Sequence, residues 1–147
     1  MSRPPARTIQ VALGLVERGG RYLICQRPAG KFLGGYWEFP GGKRERRESW
    51  EACLRRELRE ELGIAVRRLS LLGRMRYGYK SQPTAFRVFR GVLAGALPQS
   101  REGQQFRWVW PRQLSRYRFP PANRALIAHL AVACYTSNTY SKRRTRR

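Results

Sequence analysis

The chain has 147 residues, enough for one domain around one core. Its 41% hydrophobic and 12% aromatic content is that of a globular protein, and its formal net charge of +22 points first to polyanionic partners, nucleotides and nucleic acids. A single histidine, His129, gives no support to a His-based metal site or a Ser-His-Asp triad, and the three widely spaced cysteines, Cys25, Cys53 and Cys134, form no CxxC pair and read as reduced, mostly buried thiols.

In chain order, residues 1–7 read as a loose arm with no apolar run of signal-peptide length behind it, so a cytoplasmic protein is expected. Thr8 to Glu17 alternates early and reads as a strand. Arg18-Gly19-Gly20 is a turn, and Tyr22 to Arg27 is a second strand that completes a hairpin. Pro28 to Tyr36 is a Gly-rich loop. Trp37-Glu38-Phe39 is a short extended piece that ends at the turn signal Pro40-Gly41-Gly42. Ser49 is an N-cap, and a helix runs from it to Leu62 with Gly63 as its stop. Leu54, Leu58 and Leu62 recur every four residues and form its inward stripe.

Val66 to Leu72, Arg74 to Tyr79, Phe86 to Leu93 and Phe106 to Trp110 read as strands, with the third paired to the segment before it. Pro120-Pro121 precedes a helix from about Ala122 to Cys134, with Leu126, Ile127 and Leu130 inward. The mostly apolar stretch Ala125 to Tyr135 is too short to span a bilayer, so no membrane partner is expected. From Thr136 the chain is a basic tail ending Lys-Arg-Arg-Thr-Arg-Arg, expected to be disordered and to give weak, salt-dependent affinity for nucleic acid. The domain therefore spans 8–135 with a tail at 136–147. Strands mixed with two helices imply an α/β layered fold.

The acids are distributed unevenly. The chain has no Asp and only nine Glu, seven of them between Glu38 and Glu61. On a helix, Glu57, Glu60 and Glu61 fall within about 100° of arc, where like charges repel. Such a group can be a solvated face balanced by Arg55, Arg56 and Arg59, or a divalent-metal site. The spacing favours the metal. Gly42, five residues, Glu48, seven residues, then Arg56-Glu57-Leu58, Glu60-Glu61 and Gly63-Ile64 occupy nine fixed positions.

That pattern resembles a complete Nudix box, the signature of hydrolases that cleave nucleoside diphosphates linked to another moiety. The resemblance implies a Nudix-type α/β/α sandwich with a mixed sheet. It implies Mg²⁺ as the cofactor, with Mn²⁺ as the alternative ion, held by Glu57, Glu60 and Glu61 and by the carbonyl of Gly41. Glu57 would also help to deprotonate or orient the attacking water, Arg56 would hold the neighbouring carboxylates, and Glu48 would support them or serve a further metal. Hard oxygen donors are what Mg²⁺ prefers.

Outside the box the chain is similar to MutT-type 8-oxo-dGTP diphosphatases, enzymes of nucleotide-pool sanitisation and hence DNA repair. The similarity runs through Gln26 to Lys31, Gly34 to Lys43 and Phe119-Pro120-Pro121-Ala122-Asn123, and covers most of residues 8–132. It implies a nucleoside triphosphate substrate and a role for Asn123 in reading the oxidised purine. Oxidation turns N7 into an N–H donor beside the O6 acceptor, and one amide carries the matching acceptor and donor. The plain alternative for Asn123 is a helix N-cap. By the same resemblance Arg27 contacts the nucleotide, Tyr79 packs on the base, and Glu102, the lone acid after residue 61, is a further metal ligand. Gln82 stands where relatives can carry a basic residue. Two other readings stay open: hydrolysis of another polyphosphate (an RNA 5′ end, a dinucleoside polyphosphate or ADP-ribose), and a DNA-lesion recognition module. The sequence leaves the oligomeric state unassigned.

Overall fold

The computed structural model describes residues 7–79, 82–124 and 126–128. Among these, seven strands form one mixed sheet. They are β1 (Ile9–Arg18), β2 (Arg21–Gln26), β3 (Trp37–Glu38), β4 (Gly41–Lys43), β5 (Ala65–Tyr79), β6 (Gln82–Ala94) and β7 (Phe106–Val109). The main strand order is β3-β2-β1-β6-β5, with β4 beside β1 and β7 beside β2.

β1 is the axis of the sheet. It runs parallel to β6 from Ile9 opposite Thr84 to Glu17 opposite Val92. Its other edge is shared: Val11 to Leu13 pair with β4, and Glu17 and Arg18 pair with β2 across the Gly19-Gly20 turn. Because strand side chains alternate, β1 feeds two cores. Leu13 and Leu15 join Phe39, Val88, Leu114, Phe119 and Leu126 on one face. Ala12 and Val16 join Leu54, Leu58, Leu62 and Phe89 on the other.

The second face is covered by α1 (Trp50–Leu62). The Ser49 side chain accepts a hydrogen bond from the Ala52 N–H at 3.0 Å, and Gly63 closes the helix in the left-handed region at φ 64°. Cys53, Leu54, Leu58 and Leu62 are buried, and each leucine stabilises the layer by about 1.5–3 kcal/mol. The first face is covered by a 3₁₀ helix, Pro111–Arg116, and by helical residues 121–124 and 126–128. Helices thus flank both sides of the sheet, as the α/β/α expectation requires.

Four expectations change. Gly41 and Gly42 do not form a free turn: they belong to β4, paired to β1. The two segments expected at 66–72 and 74–79 are one fifteen-residue strand, with register shifts between Arg67 and Ser70 and between Leu71 and Gly73. β6 begins at Gln82, four residues before the expected Phe86, because its pairing with β5 extends to Tyr79 opposite Gln82. The 3₁₀ helix after Trp110 was not anticipated. Cys25 and Cys53 are buried free thiols, while Cys134, His129 and the tail at 136–147 lie outside the described residues. Among the described residues no helix is long and apolar enough to cross a membrane.

Candidate active site

A cavity of about 540 Å³ opens on the face of the sheet away from the Leu54-Leu58-Leu62 stripe. It is floored by β1 and β6 through Val11, Leu13, Thr84 and Phe86, and walled by β4 and by the loops after β2 and before β7. The sheet thereby draws together Arg27, Gly41, Glu61, Glu102 and Asn123, five expected site residues that are far apart in sequence.

The helix end of the site is organised by Arg56. Its Nε and Nη2 donate to the two oxygens of Glu48 at 3.0 and 2.7 Å, a bidentate geometry of the strong, charge-assisted kind. Nη1 donates to Glu57 at 2.9 Å and to Glu60 at 3.3 Å, and Nη2 also reaches the Lys43 carbonyl at 3.1 Å. The Arg56, Glu48 and Glu57 side chains are only 16–17% exposed, whereas Glu60 is 55% exposed. Hydrogen bonds from Arg56 and from the Glu45 N–H pull the Glu48 carboxyl down to about 2, and the hydrogen bonds to Glu48 and Glu57 hold Arg56 firmly protonated. Both Glu48 oxygens are therefore engaged within the protein.

Gly42 is fixed by this arrangement. The Glu57 carboxyl occupies the space that a Cβ at Gly42 would take. Gly41, at φ 152°, lies against the Ala12 carbonyl with no room for a side chain. Glycines that read as turn formers are thus required for close approach.

Glu61 lines the cavity with its charge opposed. Burial, then the charges of Glu57 and Glu38, a hydrogen bond with Glu57 and the charge of Glu102 raise its carboxyl to about 9. Glu38 is also raised by burial, against the pull of Arg27, whose Nη1 donates to it at 2.9 Å. Sequence reasoning gave Glu38 no role, and its one signal was its place in the acid-rich stretch.

In the metal-free protein, folded Glu61 holds a proton that the unfolded chain releases near 4.5, so stability falls as pH rises from about 4.5 toward about 9. We expect thermal midpoints of metal-free protein to fall across that window and Glu61→Gln to flatten the slope. An unchanged slope in Glu61→Gln would remove Glu61 as its source.

Glu102 is held on a loop tied to the end of α1. The Gln99 N–H donates to the Leu62 carbonyl at 2.9 Å, and the Arg101 N–H donates to the Glu61 carbonyl at 3.0 Å. Gln104 accepts from the Glu102 N–H at 3.2 Å and donates to the Glu61 carbonyl at 3.4 Å. Gln104 was missed in the sequence because it acts through its position, not through a motif.

At the far end, Asn123 is buried at 5% exposure, and its side-chain oxygen has no hydrogen-bond partner. The N-cap alternative fails: Asn123 is the third helical residue, and its own N–H donates to the Pro120 carbonyl at 3.0 Å. Buried polar atoms are nearly always paired, so this orphan acceptor points to a ligand donor. Arg27 and Gln82 line the cavity, and Arg27 is braced by Glu38 and by the Phe32 carbonyl. Tyr79 lies opposite Gln82 in the β5–β6 register, but its side chain is outside the described residues.

No three acidic, His or Cys side chains among the described residues converge on a ready-made metal geometry. The expected donors, the Glu57, Glu60, Glu61 and Glu102 carboxylates and the Gly41 carbonyl, are nevertheless all oxygens. Burial and then the neighbouring carboxylate charges raise Glu61, a repulsion that a divalent cation relieves, and the space left by Gly42 keeps the Glu57 carboxyl beside it. The residues fit such an ion.

Comparison with known proteins agrees. A NUDIX domain family model matches residues 11–129, and hydrolases of this family generally need a divalent metal. The 8-oxo-dGTP diphosphatase of Haemophilus influenzae is 36% identical over 125 residues, 84% of this chain and 92% of that protein. The CTP pyrophosphohydrolase of Escherichia coli is 36% identical over 131 residues, 82% of this chain and 90% of that protein. A MutT structure from the Aliivibrio salmonicida and Vibrio cholerae pair superposes with a TM-score of 0.73 at 35% identity, covering 86% of this chain and 99% of that one. With its box, its mixed sheet and its acid-lined cavity, the chain belongs to the NUDIX family.

Proposed function

We propose that this protein is a Mg²⁺-dependent nucleoside triphosphate diphosphatase that acts on oxidised purine nucleotides such as 8-oxo-dGTP. Water adds across the α–β phosphoanhydride and yields the monophosphate and pyrophosphate. The observation that carries the base assignment is the buried, unpartnered Asn123 oxygen in the wall of a nucleotide-sized cavity. An N7–H donor satisfies it, while an ordinary guanine, with a bare N7 acceptor, leaves it orphaned.

When bound, a divalent ion would supply charge stabilisation at the diphosphate and a lowered water pKa. Glu57, Glu60, Glu61 and Glu102, with the Gly41 carbonyl, are the residues assigned to hold it. Glu57 orients the attacking water and accepts its proton, and Arg56 fixes the Glu57 carboxylate from the rear. Glu48 acts through Arg56, since its oxygens are already engaged. Arg27 and Tyr79 complete the nucleotide contacts. Residues 8–135 form the catalytic domain, between a short arm and the basic tail, and the work is cytoplasmic sanitisation of the nucleotide pool, ahead of DNA repair.

The similarity to a CTP pyrophosphohydrolase favours a second reading, because the cytosine exocyclic amine is also a donor that Asn123 can accept. Steady-state hydrolysis of 8-oxo-dGTP, dGTP and CTP, with and without Mg²⁺, tests both. We expect Mg²⁺-dependent release of pyrophosphate with 8-oxo-dGTP far ahead of dGTP. Equal rates on those two would sink the oxidised-purine assignment, and CTP in the lead would establish the second reading.

A further inference from the structure

The β5–β6 segment, residues 65–94, carries six arginines and one lysine and not a single acid. Its side chains divide between the sheet faces. Thr84 and Phe86 point into the nucleotide cavity, so Ala85 and Arg87 point the other way, toward α1. Arg74 stands directly opposite Arg87 in the antiparallel ladder, and Arg76 stands opposite Ala85. Arg74, Arg76 and Arg87 therefore share one face, on the side of the sheet remote from the cavity.

A fourth arginine joins them. The Arg44 N–H donates to the Gln10 carbonyl, which extends the row formed by Gln10, Ala85 and Arg76 across the sheet. Arg87 lies over the Trp50 ring at 4.5 Å and Arg44 lies over it at 5.4 Å. Stacking on an indole fixes a guanidinium while leaving its in-plane N–H groups free to meet oxygens.

Like charges directly opposite in a ladder are destabilising. Among the described residues three arginines meet acids: Arg27 with Glu38, Arg56 with four glutamates, Arg90 with Glu17. Among the described residues, no carboxylate pairs with Arg44, Arg74, Arg76 or Arg87. Arg44 spends two donors on Gln10 and on the Glu48 carbonyl, both neutral acceptors. The nearest acid in sequence to Trp50, Glu51, is solvent-exposed in the first turn of α1. Arg74 and Arg76 project about 7 Å apart along one strand, a spacing suited to successive backbone phosphates.

We propose that Arg44 and Arg87, ordered on Trp50, together with Arg74 and Arg76 on the same sheet face, form a binding surface for the phosphate backbone of a nucleic-acid strand, separate from the nucleotide cavity. The surface stands on charge placement alone and does not depend on which nucleotide the cavity takes.

The test is fluorescence anisotropy of a labelled single-stranded oligonucleotide titrated with full-length protein over about 50–200 mM salt. Arg74→Gln with Arg87→Gln is expected to weaken binding about tenfold at about 0.1 M salt and to lower the salt slope by roughly 0.7 for each lost phosphate contact. Nucleotide hydrolysis is expected to stay unchanged and the thermal midpoint to hold or rise, since an opposed pair of like charges is removed. The control is Arg21→Gln with Arg112→Gln, which removes the same charge from two arginines stacked on Trp110, and it is expected to have little effect. An equal loss in both double variants would show only the field of the whole chain and overturn the proposal. No loss in the Arg74/Arg87 variant, with loss on deleting residues 142–147, would assign binding to the tail and overturn it equally.

Discussion

Asn123→Ala is expected to lower kcat/KM for 8-oxo-dGTP by about 10²-fold or more while leaving dGTP hydrolysis nearly unchanged, so that the preference between them collapses. Two hydrogen bonds to the base are lost, each costing about 1–3 kcal/mol when its partner is left buried and unpaired. The free protein responds in the opposite sense. Its Asn123 oxygen is buried without a partner, and deleting it removes a desolvation penalty of about 1–3 kcal/mol that offsets the small void created. The thermal midpoint is therefore expected to hold or rise slightly as specificity disappears, a separation that a merely structural asparagine would not give. Asn123→Asp sharpens the measurement, because it keeps an acceptor and loses the amide donor to O6. Competition kinetics with the two nucleotides in one reaction read the preference directly, and a preference that survives Asn123→Ala removes Asn123 from base selection.

The largest loss of rate is expected from Glu57→Gln. The substitution keeps the shape that fills the space above Gly42 and keeps an oxygen for Arg56. It removes the charge and the proton acceptor. General-base contributions of about 10²–10⁴, together with a weakened metal site, place the expected fall in kcat near 10³-fold at saturating Mg²⁺. One side effect tests the electrostatic account independently of catalysis. Glu57 is the leading charge that opposes ionisation of Glu61, so metal-free Glu57→Gln is expected to lose less stability than the parent between neutral pH and about 9. Near-parental kcat in Glu57→Gln would move the base to another residue.

α1 was legible in the sequence from end to end, because its cap, its four-residue leucine spacing and its glycine stop are local signals that agree with one another. The carboxylate group followed from the same spacing. Features set by contacts across the sheet were not legible. Gly41 and Gly42 carry the local signature of a turn, yet they are strand residues, since only glycine leaves room for the Ala12 carbonyl and the Glu57 carboxyl. β5 looked divided at Gly73, the residue left between the two expected strands; the structure places a register shift between Leu71 and Gly73 and continues the strand. Glu38 looked like part of a short extended piece, and its position in the cavity beside Arg27 depends on the β2–β3 pairing. Asn123 was named by its context, while its unpartnered oxygen depends on the helix starting three residues earlier than an N-cap would require.

The loop that carries Glu102 hangs from the last carbonyls of α1 through Gln99, Arg101 and Gln104. Helix ends ordinarily fray at little cost in free energy. Here, unwinding the final turn releases the loop as well, so Glu61 and Glu102, separated by 41 positions in the chain, open and close as one cooperative unit.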